Sequence, residues 1–271
     1  MPCEKCKNGD APGYVRDPIS HLLVTCECVN RKARRDAFSS IGLPIEEAFL
    51  TAALDDFTVK QSATSEDLLP DEERRKIGAK ALIFRFIEAL PSLLKGDPFE
   101  WEVKKTTVTR TISTRTLVLS GPASSGKTLL LAIIANACLA LGHRPRAIEW
   151  PEVMGSCHDF EEKAAFREMR EEISKSQLLM VDNISGVYEY DARREEIVVP
   201  PIIKAKLDEL FVSRPRVLFP TIFATDLSPQ SLLVQDRYGP VLAGMFRGAV
   251  IVMLPAGKEQ PVVGDNVVGW E

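Results

Sequence analysis

From Thr116 to Leu254 the chain repeats one pattern. A short run of consecutive apolar residues is followed by a longer stretch with apolar residues three or four apart. The runs predict strands buried on both faces, and the wider spacing predicts helices packed against them. Strands are expected at 116–120, 146–150, 177–182, 218–224 and 249–254, and helices at 127–141, 159–175, 200–213 and 228–247. Strands separated by helices make parallel sheets, so the expected fold class is α/β with a five-stranded parallel sheet covered on both sides.

Upstream the pattern changes. Between Asp71 and Lys95, Ile77, Ala81, Phe84, Ile87 and Leu90 recur at helical spacing, and Pro91 is expected to bend or interrupt that helix. Residues 100–116 alternate in the manner of a strand and predict a hairpin or extended arm. Residues 60–75 are polar and charged and read as a linker or exposed loop. No internal repeat or low-complexity tract is present.

Candidate chemistry begins at the first predicted strand of the sheet. Leu117-Val118-Leu119-Ser120 runs into Gly121-Pro122-Ala123-Ser124-Ser125-Gly126-Lys127-Thr128, and then into an apolar helix starting at Leu129. Strand, G-x-x-x-x-G-K-T, helix is the order of parts that a nucleoside triphosphate requires. The glycines let backbone N–H groups close around the phosphates, and the helix N-terminus adds positive potential. In that arrangement Lys127 reaches the β- and γ-phosphates and the Thr128 hydroxyl holds Mg²⁺.

A second buried strand must then offer a carboxylate to the metal. Gln177-Leu178-Leu179-Met180-Val181-Asp182 does so, with Asp182 as the expected magnesium-shell residue. Asn183 follows, where many ATPases place Glu. An amide orients a water molecule but does not accept its proton at neutral pH. The expectation is firm ATP binding with slow hydrolysis, raised by Asn183→Glu. Glu189, Asp191, Glu195 and Glu196 would be alternative bases if their loop folded back; otherwise they are a solvated charge run. Pro220 to Asp226 ends a further strand in polar residues. Thr225 or Asp226 would there sense the γ-phosphate, or else cap the helix that Ser228-Pro229 begins.

Cys3, Cys6, Cys26 and Cys28 form C-x₂-C, nineteen residues, then C-x-C. Two close pairs chelating from two directions suit a tetrahedral Zn²⁺ site, with His21 a possible substitute ligand. Asn8 to Gly13 is turn chemistry, and a module of some thirty residues needs a metal to hold it. Unligated reduced thiols are the alternative. Cys138 and Cys157 read as core.

Composition narrows the classes. Hydrophobic residues make up 45% and the formal net charge is −4, which excludes a globally basic nucleic-acid binder but not local basic patches. Arg31-Lys32-Ala33-Arg34-Arg35 and the stretch from Lys104 to Arg115 are such patches, read as solvated charge or DNA contacts. No run approaches the roughly 20 apolar residues that span a bilayer, and Met1 to Cys6 lacks an apolar signal segment. A cytoplasmic protein is expected.

Taken together, these residues resemble the AAA+ ATPases of the DnaC/DnaI-type helicase loaders and the related IstB-like transposition ATPases. Gly121–Thr128 is similar to the Walker A motif, Leu178–Asp182 to the Walker B strand and Pro220–Asp226 to the sensor-1 strand. The N-terminal cysteines followed by Arg and Lys resemble the loaders' zinc module. Ile41-Gly42-Leu43-Pro44 through Ala53-Leu54-Asp55-Asp56-Phe57 resembles the family's lead into its ATPase domain. The resemblance implies a zinc-binding module at 1–36, a linker with a helical segment at 37–110, an AAA+ domain at 111–258 and a tail at 259–271, without a C-terminal helical lid. It implies ATP, Mg²⁺ and Zn²⁺ as cofactors, contact with a replicative helicase and single-stranded DNA, and assembly of like subunits. The region 237–247 falls where the family carries its arginine finger.

Three departures stand out: Asn183 for the usual acid, Asp226 where sensor 1 is usually Asn, and Gly244-Met245-Phe246-Arg247, which puts Met245 at the finger position. Arg247 or Arg237 is left to serve. A transposition ATPase acting with duplex DNA and a transposase, and a nucleotide-gated adaptor with little hydrolysis, remain alternatives. A metabolic P-loop kinase would need an Arg-rich lid, for which no compact candidate is present.

Overall fold

The computed structural model describes residues 14–16, 23–25, 27–43, 47–52, 70–97, 100–105, 108–158, 163–184, 189–191, 196–198, 200–214, 219–229 and 238–254. The chain divides into two units, Met1–Thr51 and Ala52–Glu271. In the first, strands β1 (Tyr14–Arg16) and β2 (Leu23–Thr25) pair antiparallel, followed by helices α1 (Glu27–Ile41) and α2 (Glu47–Leu50). At the end of α1 the Leu43 N–H bonds back to Phe38 O at 3.1 Å, and Phe38, Ile41, Leu43 and Leu50 are buried. The exposed side of α1 carries Lys32, Arg34 and Arg35. Of the four candidate zinc ligands, Cys3, Cys6 and Cys26 lie outside the described residues, as does His21, and Cys28 lies within α1.

The second unit opens with α3 (Pro70–Leu93) and the antiparallel hairpin β3 (Glu100–Lys105) and β4 (Val108–Ser113). Pro91 does not end α3, which continues to Leu93. The buried stripe of this helix is Ile83, Phe86, Leu90 and Leu93, while Phe84 is 49% exposed and Ala81 is also exposed. Apolar residues on α3 occupy two overlapping stripes, and the one the core takes is displaced from the 77–81–84–87 series. Arg115 belongs to the framework: its guanidinium donates to the carbonyls of Gly96 and Asp97, tying the end of the hairpin to the turn after α3.

Beyond the hairpin come β5 (Thr116–Ser120), α4 (Lys127–Ala140), β6 (Arg146–Glu149), α5 (Trp150–His158), α6 (Lys163–Lys175) and β7 (Leu179–Ile184). They are followed by a second hairpin, β8 (Glu189–Asp191) with β9 (Glu196–Val198), and by α7 (Pro201–Val212), β10 (Thr221–Thr225), α8 (Pro240–Arg247) and β11 (Val250–Met253). Five strands form one sheet in the order β11-β5-β10-β7-β6, and every pairing is parallel. Their side chains alternate between two buried faces. Val118, Ile148, Val181 and Phe223 join a cluster with α5, α7 and α8, whereas α4 lies on β10 and α3 lies against α4 and β11.

The α/β class and the five parallel strands are as expected, with three corrections. Helix α5 follows β6 without a loop, where no helix was expected. Strand β7 runs two residues further, so that Asp182 and Asn183 lie inside it. Within the stretch 189–198, read as a loop, Glu189–Asp191 and Glu196–Val198 pair as antiparallel strands. The predicted helix at 228–247 contains α8 only from Pro240; residues 230–237, with Arg237, lie outside the described residues.

Candidate nucleotide site

In a parallel sheet all strands deliver their C-terminal ends to one edge, where loops and helix N-termini collect. Here β5 delivers Gly121 to Gly126, flanked by β10 and β11. The Gly121 N–H bonds to Thr225 O at 3.1 Å, and the Leu254 N–H bonds to Ser120 O at 2.7 Å. A Cβ at Gly121 would lie 2.8 Å from Leu254 O, Leu254 Cβ and Ser125 Oγ, so a side chain there would displace the loop. Ser124 and Gly126 both have left-handed backbones, with φ of 60° and 85°. Left-handed residues in such a loop turn successive N–H groups into a concave, anion-binding face. Pro122, Ala123 and Ser124 are exposed on the rim, Ser125 is buried beneath it, and Leu129 belongs to the core.

Lys127 begins α4. Its ammonium donates to Gly121 O and Pro122 O, both at 2.7 Å. Burial lowers its pKa, while the nearby carboxylates of Asp182 and Asp226 oppose that shift. Thr128, one residue on, donates its hydroxyl to Asp182 Oδ2 at 2.8 Å. This contact joins residues 54 apart in sequence. It places the hydroxyl and the carboxylate expected to share a divalent cation side by side at the sheet edge. Asp182 Oδ1 accepts the Asn183 N–H at 2.7 Å, so both carboxylate oxygens are oriented by protein donors.

Asn183 has φ of 61°, in the left-handed region, and its side chain is exposed. Its Nδ2 donates to Glu149 Oε2 at 3.3 Å across the β6–β7 pairing. Glu149, which sequence reasoning did not single out, is the last residue of β6 and stands in register with Asp182. Burial raises the pKa of Glu149, and the charge of Asp182 adds to that rise. Only strand register brings Glu149 here; no local motif marks it.

The remaining candidates separate. Thr225 is fully buried: its hydroxyl donates to Ile184 O at 2.5 Å and accepts the Leu227 N–H at 3.0 Å, which commits it to holding the strand end. Asp226 is exposed at the tip of β10. Met245 is buried, whereas Arg247 ends α8 on the surface, with its Nε donating to Ala243 O at 3.3 Å. Glu189, Asp191 and Glu196 lie on the β8–β9 hairpin; Glu195 is outside the described residues. Cys138 and Cys157 are buried, and burial pushes their thiols up to about 12 and about 11. Among the described residues no cluster of three or more His, Cys, Asp or Glu could hold a metal, and no helix is long and apolar enough to cross a membrane.

No protein-family model matches the chain, and no curated protein matches it. Solved structures do. A DnaC helicase loader is 14% identical with a TM-score of 0.52, over 77% of this chain and 99% of that one. A provisionally named primosome component from Streptococcus pyogenes serotype M3 is 16% identical with a TM-score of 0.51, over 83% and 98%. A DNA replication initiation factor gives a TM-score of 0.47 at 16% identity over 75% of this chain, which spans 49% of that protein. At these identities the likeness is one of architecture, and in architecture this chain resembles the AAA+ helicase-loader domains.

Proposed function

We propose that this chain is an ATP-binding protein of DNA replication, similar in task to a helicase loader. It binds ATP with Mg²⁺ and engages a replicative helicase and single-stranded DNA. The observation that carries the proposal is the 2.8 Å bond from Thr128 to Asp182 beside a glycine-lined, left-handed loop. A hydroxyl and a carboxylate so placed suit Mg²⁺, which when bound would neutralise charge on the β- and γ-phosphates. The main-chain amides of 121–129 hold the phosphates and the Lys127 ammonium supplies the charge. Asp226 senses the terminal phosphate from the tip of β10. Arg247, on the surface at the end of α8, reaches the nucleotide of a neighbouring like subunit. Exposed Lys32, Arg34 and Arg35 on α1 form the basic face for DNA.

Zinc belongs to the same proposal. The β1–β2 hairpin lies between the two cysteine pairs and reverses the chain, which supports closure of C-x₂-C on C-x-C around one ion. Asn183 favours a second reading, a nucleotide-gated adaptor with little hydrolysis, because it lacks a proton-accepting group.

Lys127→Ala tests the site. Titration calorimetry with ATP and Mg²⁺ is expected to show binding to the parent chain and a loss of at least about 100-fold in the variant, with the thermal midpoint retained. Equal affinity in the two proteins would refute the site.

A further inference from the structure

Asp182 has both oxygens committed, one to the Thr128 hydroxyl and the other to the Asn183 N–H. Asn183 follows Asp182 on β7, and its side-chain amide points its donor at Glu149. Among the described residues, this 3.3 Å bond is the one hydrogen bond made by the Glu149 carboxylate, so lone pairs on it remain for another donor. The register Glu149↔Asp182 sets this carboxylate on the strand next to the metal-shell residue, at the same height along the sheet. Parallel strands in register present such residues to one edge, so Glu149 stands at the same sheet edge as Asp182, which accepts the Thr128 hydroxyl.

Resting on the reading of this sheet edge as an ATP site, we infer that Glu149 supplies the general base that position 183 lacks. The pair is divided between two strands: β7 carries the orienting amide and β6 the proton acceptor. In hydrolysis the water oxygen forms a bond to the γ-phosphorus as the bond from that phosphorus to the β–γ bridging oxygen breaks. The electron pair of the broken bond stays on ADP. The water proton passes to the Glu149 carboxylate and then to solvent, and inorganic phosphate leaves. Asn183 holds the carboxylate by its amide and is a positioning residue. Such a base contributes about 10²–10⁴ in rate.

Glu149→Gln is the test, because Gln keeps an acceptor for Asn183 Nδ2 and removes only the basicity. Steady-state turnover and calorimetric ATP affinity are measured on the full chain, with Glu149→Asp alongside. The expected result is that kcat falls by at least about 100-fold in Glu149→Gln while ATP affinity stays within about twofold. Glu149→Asp, with its carboxylate on a shorter stem, should keep more turnover than Glu149→Gln. Wild-type turnover in Glu149→Gln overturns the inference and leaves the ATP site standing. So does a parallel loss of affinity. A parent chain that binds ATP without turning it over also overturns the inference, whereas one that binds no ATP overturns the site itself.

Discussion

Asn183 holds a φ of 61°, which Asn adopts more readily than most side chains and a long acid does not. Glu at this position would meet that backbone cost, of order 1 kcal/mol. It would also set a third carboxylate beside Asp182 and Glu149. The expected outcome for Asn183→Glu is therefore no gain in steady-state turnover and a small fall in the urea midpoint, the reverse of what residue type alone predicts. A rate increase of tenfold or more would show that position 183 tolerates the acid and that Glu149 is dispensable. The order of strand, glycine-bounded loop and helix was legible in the sequence because its parts are contiguous from Leu117 to Leu129. Glu149 was not, because it lies 34 residues from Asn183 and only strand pairing unites them.

At the scale of elements, Arg214 joins α6 to β10. It is 2% exposed, and its guanidinium donates to Thr221 Oγ1 and to the carbonyls of Ile173, Ser176 and Pro220 at 2.6–2.8 Å. Burial lowers its pKa to about 9, so it is still charged at pH 7, with neutral dipoles rather than a carboxylate around it. Arg214→Ala leaves buried carbonyls without their donor and is expected to cost about 3 kcal/mol, read from the shift in a urea unfolding curve. A shift below about 0.5 kcal/mol would show that water replaces the guanidinium. As one of two arginines flanking Pro215 in a segment without a motif, Arg214 gives no sign of this role in the sequence. Helix α5 illustrates a different limit: Trp150, Val153, Met154 and Cys157 are buried at helical spacing, yet Pro151 and Gly155 disguise the period. Pro is compatible with the first turn, and Gly155 has open space around it.

At the scale of the whole molecule, the sheet was readable because its strands are buried on both faces and so appear as unbroken apolar runs. The hairpin of β8 and β9 was not, since charged residues dominate it and its pairing is internal. The N-terminal unit of Met1–Thr51 carries the prediction that tests metal binding. The purified full chain is expected to contain about one zinc per chain by elemental analysis, released when the thiols are titrated with a mercurial reagent. Strong chelation is expected to lower the stability of this unit while leaving ATP binding by Ala52–Glu271 in place. A metal-free protein with four freely titrating N-terminal thiols would remove zinc from the account.

The contact between Leu254 and Gly121 has a mechanical corollary. Because the residue that follows β11 rests on Gly121, with only bare backbone accommodated there, a pull on the polypeptide downstream of Leu254 would load the 121–126 loop directly. Under the proposed function, a force on the chain beyond this point would alter how tightly the loop clasps the phosphates.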